Sequence, residues 1–359
     1  MMPIVEAKQR LDKLIGKSRH RLYKPMQIAE ILFRHRTQGH PDPSNLETYR
    51  RISNKWKADI ALRLFGRKPS LNSRYEDQLF DEAVLPPRIL TELSKENANP
   101  TTEGVVEVYI YDQVGGSQLL LATMARDLES TTPTDFLLED FIRHFENDPR
   151  LRRSVDKVYE IIVYALFDTI TTYLQAKVTL SVSEEAIEIL KDFERFAKIV
   201  LGVDRNNLTI SERARLFRLG VTNAADARID MWANFGPAVQ VKHVTLDTKV
   251  ATEIADDLMA DKIVVVCKKA EQGVIHSIMG QVGLKNRIRG FVTERDLVEW
   301  YSLCMSVKYS DTIGKSVISA LLREFKIEFP LTDSMEIENL FKERGYSRDI
   351  LKGIWADTG

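Results

Sequence analysis

The stretch from Arg228 to Leu246 reads Arg-Ile-Asp-Met-Trp-Ala-Asn-Phe-Gly-Pro-Ala-Val-Gln-Val-Lys-His-Val-Thr-Leu. Its first and last segments, Arg228 to Trp232 and Val239 to Leu246, are rich in β-branched and apolar residues, which favours strands. Residues 233–237 between them contain Asn, Gly and Pro, the residue types of a turn. The stretch therefore predicts a β-hairpin.

Polar side chains recur on one face of this hairpin. Side chains of a strand alternate between its two faces, so Gln240 and Lys242 share a face, with Cα atoms about 6.5–7 Å apart. In the preceding strand Asp230 lies between apolar neighbours. Short antiparallel pairing would bring it beside Gln240 and Lys242. We therefore expect a carboxylate, an amide and an ammonium group on one side of a sheet.

This group of side chains is suited to phosphodiester hydrolysis. The reaction needs oxygen ligands for a hard divalent cation and a positive group for the phosphate or the attacking water. The Asp230 carboxylate, the Gln240 side chain and the Val241 carbonyl are candidate ligands for Mg²⁺. Lys242 would orient or deprotonate the water, or stabilise charge on the phosphorus centre. The alternative is an exposed strand face with an ordinary Asp and Lys pair. An Asp followed at variable distance by Asp, Glu or Gln, any residue and Lys occurs by chance in most chains of this length.

A further acid is expected because Gln240 is neutral. Glu160 precedes an apolar run in a predicted central helix, where a bare charge would be costly unless it is paired or bound to an ion. Its alternatives are a metal ligand or an ion pair with Lys157 or Arg153. Asp226 is the second candidate, although its position favours a turn.

The surrounding pattern alternates between helices and strands. A helix at 181–201 begins with a capping box formed by Ser181 and Glu184. Together with the hairpin, these elements predict a mixed α/β (α+β) fold with a central sheet flanked by helices. The other predicted helices cover 154–174, 247–260 and 294–305, and the other strands cover 213–221, 262–268 and 287–293.

Composition indicates an intracellular, cytoplasmic globular protein. Of 359 residues, 44% are apolar and 29% charged, which are ordinary globular values. The longest apolar run, Ile161 to Phe167, is far shorter than the roughly 20 residues that span a bilayer. Charged residues interrupt the first segment, which argues against a secretory signal. Only Cys267 and Cys304 are present, so neither a disulfide framework nor a zinc site is expected.

The first part of the chain is basic and helical. Residues 1–75 hold 17 Lys and Arg against 6 Asp and Glu, an excess of 17 − 6 = +11. Such asymmetry favours a polyanionic partner, and a solvated basic surface is the alternative. A helix with a Ser44–Glu47 capping box is predicted through Leu64, followed by a polar loop. The candidate DNA contacts, more to phosphates than to bases, are Arg51, Lys55, Arg67, Lys68, Asn72 and Arg74.

The chain resembles the HaeII-type restriction endonucleases of the PD-(D/E)XK nuclease superfamily. The stretch Gly220 to His243, which contains Asp230, Gln240 and Lys242, carries most of the resemblance. The other similar stretches are Leu151 to Phe167, Leu22 to Leu32 and Glu343 to Tyr346. The resemblance implies a PD-(D/E)XK core in which these three residues occupy the family's Asp, acidic or Gln, and Lys positions. No Pro precedes Asp230, and Gln240 replaces the usual acid.

The resemblance also implies a function. We expect a type II restriction endonuclease that makes Mg²⁺-dependent double-strand cuts within purine-GCGC-pyrimidine, acts as a homodimer and has a cognate DNA methyltransferase as functional partner. The expected organisation is a basic helical DNA-binding region at 1–100 and a catalytic domain at 101–359, with its core at about 151–293. The rivals are a non-specific or modification-directed repair nuclease of the same fold and a DNA-binding protein without catalysis.

Overall fold

The computed structural model divides into two compact units. Unit 1 comprises residues 1–130, 140–155 and 325–359, and unit 2 comprises residues 131–139 and 156–324. The boundary that we predict near residue 100 falls inside unit 1, and the assignment of DNA binding to residues 1–100 stays a prediction. The residues that the structure describes are 3–18, 22–66, 68–69, 77–219, 229–247, 249–250, 252–253, 260, 262–280, 287–329 and 334–356.

The helices and strands of the described residues follow in chain order. The α-helices of six or more residues are α1 (Pro3–Lys17), α2 (Tyr23–Gln38), α3 (Ile52–Phe65), α4 (Pro87–Asn97), α5 (Val105–Ser130), α6 (Leu138–Asn147), α7 (Val155–Tyr173), α8 (Ile187–Asp192), α9 (Gln272–Gly280), α10 (Glu294–Met305), α11 (Lys315–Glu328) and α12 (Ser334–Arg344). The strands are β1 (Lys177–Ser181), β2 (Thr209–Arg213), β3 (Leu216–Arg218), β4 (Met231–Ala233), β5 (Ala238–Leu246), β6 (Ile263–Ala270) and β7 (Ile288–Thr293).

Unit 1 is helical in the part that the structure describes. Its apolar core draws on α1 to α5 and on α12. The predicted Ser44–Glu47 capping box is wrong: the Asn45 side chain accepts the Glu47 N–H, and Ser44 hydrogen-bonds to Asp42 instead. The α-helix begins later, at Ile52. The short Asn side chain binds the local backbone as readily as Ser and takes the cap position.

Two buried carboxylates of unit 1 lie in a dense network of cations and phenols. Glu30 is almost fully buried and meets both Arg34 and Arg344, and it accepts the hydroxyl of Tyr111. Glu107 is fully buried and pairs with Arg36 at 2.9 Å. The side chain of Asn97 and the hydroxyl of Tyr346 also donate to Glu107. Residues at both ends of unit 1 thus neutralise charges within it.

Unit 2 contains a five-stranded mixed sheet in the order β3-β4-β5-β6-β7. The pairs β3–β4 and β4–β5 are antiparallel, whereas β5–β6 and β6–β7 are parallel. Helices accompany the sheet: a capping box of Thr293 and Asp296 starts α10 directly after β7, and the ring of Tyr159 on α7 lies 4.4 Å from that of His243 on β5. The mixed α/β class, with helices flanking a mixed sheet, is confirmed.

A smaller hairpin of β1 and β2 flanks the segment that contains α8. The predicted helix at 181–201 starts later and at another cap, since Ser183 rather than Ser181 accepts the backbone N–H of Glu185. The predicted helix at 247–260 falls mostly outside the described residues. Cys267 and Cys304 are both free and buried. Over the described residues, every helix is too short or too polar to cross a bilayer.

Candidate active site

The β4–β5 hairpin places Asp230 against Gln240. Gln240 Nε2 donates to Asp230 Oδ2 at 2.6 Å, and the backbone N–H of Val241 donates to the same oxygen at 2.7 Å. The pairing of Met231 with Val239 sets this register, because it leaves the preceding Asp230 level with Gln240. The expected meeting of the acid and the amide on one face is therefore present.

The Asp230 carboxylate is incompletely neutralised. Burial raises its pKa above the ordinary value for Asp, while the Val241 N–H and the charges of Lys157 and Lys242 act in the opposite direction. The net pKa shift is upward, and Asp156 adds to it. No described residue donates to Oδ1. A partly buried carboxylate with a raised pKa, near two cations, is typical of a functional site.

Lys242 lies two residues after Gln240 on β5. Alternation puts its side chain on the Gln240 face, and it is exposed, whereas Gln240 is buried. Its charge acts on Asp230. The site thus combines a partly buried acid and a buried amide with an ammonium group that reaches solvent.

Glu160, the extra acid of the sequence analysis, is buried on α7. Both of its oxygens meet Lys157 Nζ, at 2.6 and 2.7 Å, so the ion pair considered above as an alternative is present. Arg218 on β3 lies 3.9 Å from Glu160 and 3.2 Å from Glu324. Because Lys157 also acts electrostatically on Asp230, it connects Glu160 to the site.

The site's oxygen atoms are compatible with one hard cation. Asp230 Oδ1 receives no described hydrogen bond, and the carbonyl of Val241 lies on the same edge of β5 as its N–H, since the N–H and C=O of one residue in an extended strand point toward the same side. The Gln240 amide currently presents its nitrogen to Asp230. No cluster of three or more His, Cys, Asp or Glu suited to a metal occurs within the described ranges. The ligand set is thus poor in charge.

The other predicted site residues are distributed as follows. Arg51 and Lys55 are exposed, one turn apart at the start of α3, and neither has an ion-pair partner in the described part of the chain. Lys68 is also exposed. The predicted residues outside the described set are Arg67, Asn72, Arg74 and Asp226.

Two cations near the site were not predicted from the sequence to have a role there. Lys157 was considered only as a partner of Glu160, although its charge reaches Asp230. Arg218 was not considered. It is buried between two carboxylates, one of them 106 residues away in sequence, and no local pattern could have indicated that pairing.

Comparison with known proteins gives consistent results. The model of the family "HaeII restriction endonuclease" matches residues 7–346. The chain is 38% identical over 350 residues to the type II restriction enzyme HaeII of Haemophilus aegyptius, covering 98% of this chain and 99% of that protein. It is 39% identical over 342 residues to the type II restriction enzyme NgoBI of Neisseria gonorrhoeae, covering 95% and 96% respectively. No solved structure matches the chain.

Proposed function

The chain belongs to the HaeII restriction endonuclease family and is a type II restriction endonuclease, and from this premise we propose that it cuts DNA at a single-cation site built on Asp230, Gln240 and Val241. The cation would be Mg²⁺, which proteins hold through one or two carboxylates completed by substrate phosphates. The observation that carries the proposal is the partly buried Asp230 carboxylate, which is held by Gln240 and Val241 and whose pKa is raised.

The ligands would be Asp230 Oδ1, the Val241 carbonyl and the side-chain oxygen of Gln240. Mg²⁺ bound there would supply Lewis acidity that activates water and offsets charge on the phosphate. The neutral Gln240 leaves the protein one carboxylate short, so the DNA phosphate is needed to complete the site. This makes tight cation binding dependent on DNA.

Lys242 acts on the water and the phosphate. Its exposed ammonium group can reach a phosphate that a buried residue could not. It would orient the attacking water or, as a neutral amine, take its proton. Positioned acid–base groups contribute about 10²–10⁴-fold to the rate of such reactions. As an ammonium group it would instead stabilise the charge that develops on the phosphate.

Glu160 would position Lys157 rather than bind the cation. Its carboxylate already meets Lys157 and Arg218, so a cation would have to displace existing partners. Held by Glu160, Lys157 stays near Asp230 and lowers the energy of the Asp230 anion. We therefore propose that Glu160 and Lys157 help to keep Asp230 in its anionic form.

The exposed cations of unit 1 would bind DNA. Arg51, Lys55 and Lys68 are suited to phosphate contacts, which supply affinity but no sequence information. From the resemblance alone we further propose a PD-(D/E)XK core, recognition of purine-GCGC-pyrimidine, a cognate DNA methyltransferase and a cytoplasmic location. A palindromic site with two strands to cut favours a homodimer.

Plasmid cleavage tests the proposed function. Wild-type protein with Mg²⁺ should yield discrete fragments, and EDTA should abolish them. Lys242→Ala should lose cutting while it still retards DNA in a gel. Lys269→Ala, an exposed lysine on the neighbouring strand β6, is the matched control and should cut normally.

Three results would contradict the proposal. A smear would indicate a non-specific nuclease, and retarded but intact DNA would indicate a binding protein without catalysis. Full cutting by Lys242→Ala would move the active site elsewhere. Fragments that map to sites other than purine-GCGC-pyrimidine would overturn only the recognition sequence.

A further inference from the structure

An exposed apolar stripe follows one side of the segment Ile187–Leu201. α8 ends at Asp192, Phe193 has a non-helical backbone, and a three-residue helix (Glu194–Phe196) and a π-helix (Ala197–Leu201) follow it. Along this interrupted helical segment Ile189, Phe193, Phe196 and Val200 recur at spacings of four, three and four residues, so their side chains lie along one side of it. These four side chains and Ile199 are between 55% and 71% exposed. The opposite side already packs in a small core of Leu190, Ala197 and Val203.

The stripe is larger than an isolated surface residue would explain. Two Phe and three aliphatic side chains at these exposures present roughly 500 Å² of apolar surface, and contiguous patches above a few hundred Å² mark interaction sites. A standard interface buries about 800 Å² on each partner. The polar residues along the stripe would supply the remaining area. The apolar stripe alone therefore accounts for more than half of the area that one partner of a standard interface buries.

Charges beside the stripe match a second copy. Asp192 and Arg195 each immediately precede an exposed Phe, so they lie on the same flank of the stripe. Both are exposed, and neither has an ion pair within the described ranges. If two copies pair antiparallel about a two-fold axis at Phe193, Asp192 of each copy comes level, within about one residue's rise, with Arg195 of the other. Such self-complementarity is the mark of an isologous interface.

We propose that the segment Ile187–Leu201 is the dimerisation surface of this protein and that its occupant is the same segment of a second copy, packed antiparallel with Phe193 at the two-fold axis. The consequence for activity, two catalytic sites delivered to two strands, rests on the proposed function. The interface itself does not, because it lies outside the Asp230 site and needs neither DNA nor a cation.

Sedimentation velocity of the full chain, without DNA and with EDTA, tests the proposal. The wild type should sediment as a dimer at micromolar concentration, and Phe193→Asp should sediment as a monomer. Leu303→Asp, which changes an apolar residue of similar exposure on α10, is the matched control and should stay dimeric. Circular dichroism identical to wild type would show that the variants fold.

Charge exchange tests the antiparallel register without changing the apolar residues. Asp192→Arg and Arg195→Asp should each raise the dimer dissociation constant about tenfold or more. Either change places two residues of like charge opposite each other, and the two-fold symmetry forms this pair twice. The double variant Asp192→Arg/Arg195→Asp should return to within about threefold of wild type. A monomeric wild type, or a Phe193→Asp protein as dimeric as wild type, would overturn the proposal. So would a double variant no tighter than the single variants.

The interface and the proposed chemistry fail separately. A dimer that never cuts DNA would leave the interface standing and remove the nuclease proposal. Discrete double-strand cuts by a protein that remains monomeric on DNA would do the reverse.

Discussion

A buried carboxylate of unit 1 and a partly buried carboxylate of unit 2 have opposite electrostatic surroundings. In unit 1, burial alone would raise the pKa of Glu30, but the charge of Arg344 and hydrogen bonds from Arg344, Tyr111 and Arg34 bring that pKa below its usual value. In unit 2, burial raises the pKa of Asp230, and a neutral amide, one backbone N–H and two lysine charges do not fully reverse it. We call Glu30 saturated, because its partners more than offset the cost of burial, and Asp230 unsaturated, because its partners do not.

The contrast separates a structural acid from a functional one. A saturated carboxylate stabilises the fold as an anion, and its charge is already offset by its donors, so it gains little from a further cation. An unsaturated one makes the anion costly, and a bound cation would remove that cost. The same contrast exists among the cations of unit 1. Arg63 is held by Glu336 and Glu343, whereas Arg51 and Lys55 have no ion pair in the described part of the chain.

The largest effect is expected at the unsaturated acid. Asp230→Asn keeps the shape and an acceptor for the Gln240 amide but removes the charge, so plasmid cleavage should fall at least about a thousandfold. The free energy of unfolding at pH 8 should not fall, because the variant removes a costly buried anion. A stopped-flow cleavage assay and urea unfolding measure the two quantities. Marked destabilisation with cleavage intact would reverse the assignment.

The saturated acid should behave in the opposite way. Arg344→Met leaves Glu30 buried with fewer partners, and removal of one member of a buried ion pair costs about 3–5 kcal/mol. The midpoint of urea unfolding should therefore drop strongly at pH 7. Met fills much of the volume of Arg, so a large loss reports the charge rather than a cavity. A change under about 1 kcal/mol would mean that the network is not saturated.

The exposed cations should affect DNA rather than stability. The double variant Arg51→Ala/Lys55→Ala should bind DNA about tenfold more weakly, and the slope of log K against log salt should become shallower by about one for each phosphate that the variant no longer neutralises. Arg63→Ala is the matched control. It should leave DNA binding unchanged and lower stability by at most about 1 kcal/mol. Equal DNA binding by wild type and the double variant would remove these residues from the interface.

The smallest effect is a difference in pH dependence, limited to about 1.4 kcal/mol per pH unit for one proton. The pKa of Glu30 is lowered, so its contribution to stability is present above the ordinary Glu value and is lost as pH falls through the folded value. The pKa of Asp230 is raised, so stability is lost as pH rises from the ordinary Asp value through the raised value. Unfolding measured from pH 3 to 8 should lose the first slope in Glu30→Gln and the second in Asp230→Asn. Identical slopes in both variants would contradict the contrast.

The local sequence pattern predicted the β4–β5 hairpin but not the ion pairs near it. Asp230 and Gln240 are ten residues apart, and strand alternation with a recognisable turn was enough to bring them together. The bridge from Arg218 to Glu324 spans 106 residues, and alternation says nothing about such a distance. Glu160 allowed two roles because its neighbours in sequence include both a lysine partner and an apolar face. Only the folded geometry shows which cations it meets.

The glycine pair at 115 and 116 lies inside a helix. Gly weakens a helix, but α5 continues from Val105 to Ser130. A β-carbon at Gly115 would lie 3.4 Å from Ile337 Cγ2, and one at Gly116 would lie 3.0 Å from Arg150 Nη1. Close packing against the rest of unit 1 outweighs the local cost of about 1 kcal/mol per glycine.

The assembly of unit 1 from distant parts of the chain has a consequence for biosynthesis. The partners of Glu30 and Glu107 include Arg344 and Tyr346, which leave the ribosome long after α2 and α5. Until then Glu30 lacks Arg344 and Glu107 lacks the Tyr346 hydroxyl, and unit 1 cannot reach its final packing. A prematurely terminated polypeptide that lacks residues 334–356 would be a substrate for proteases rather than a free half-enzyme acting on the host chromosome.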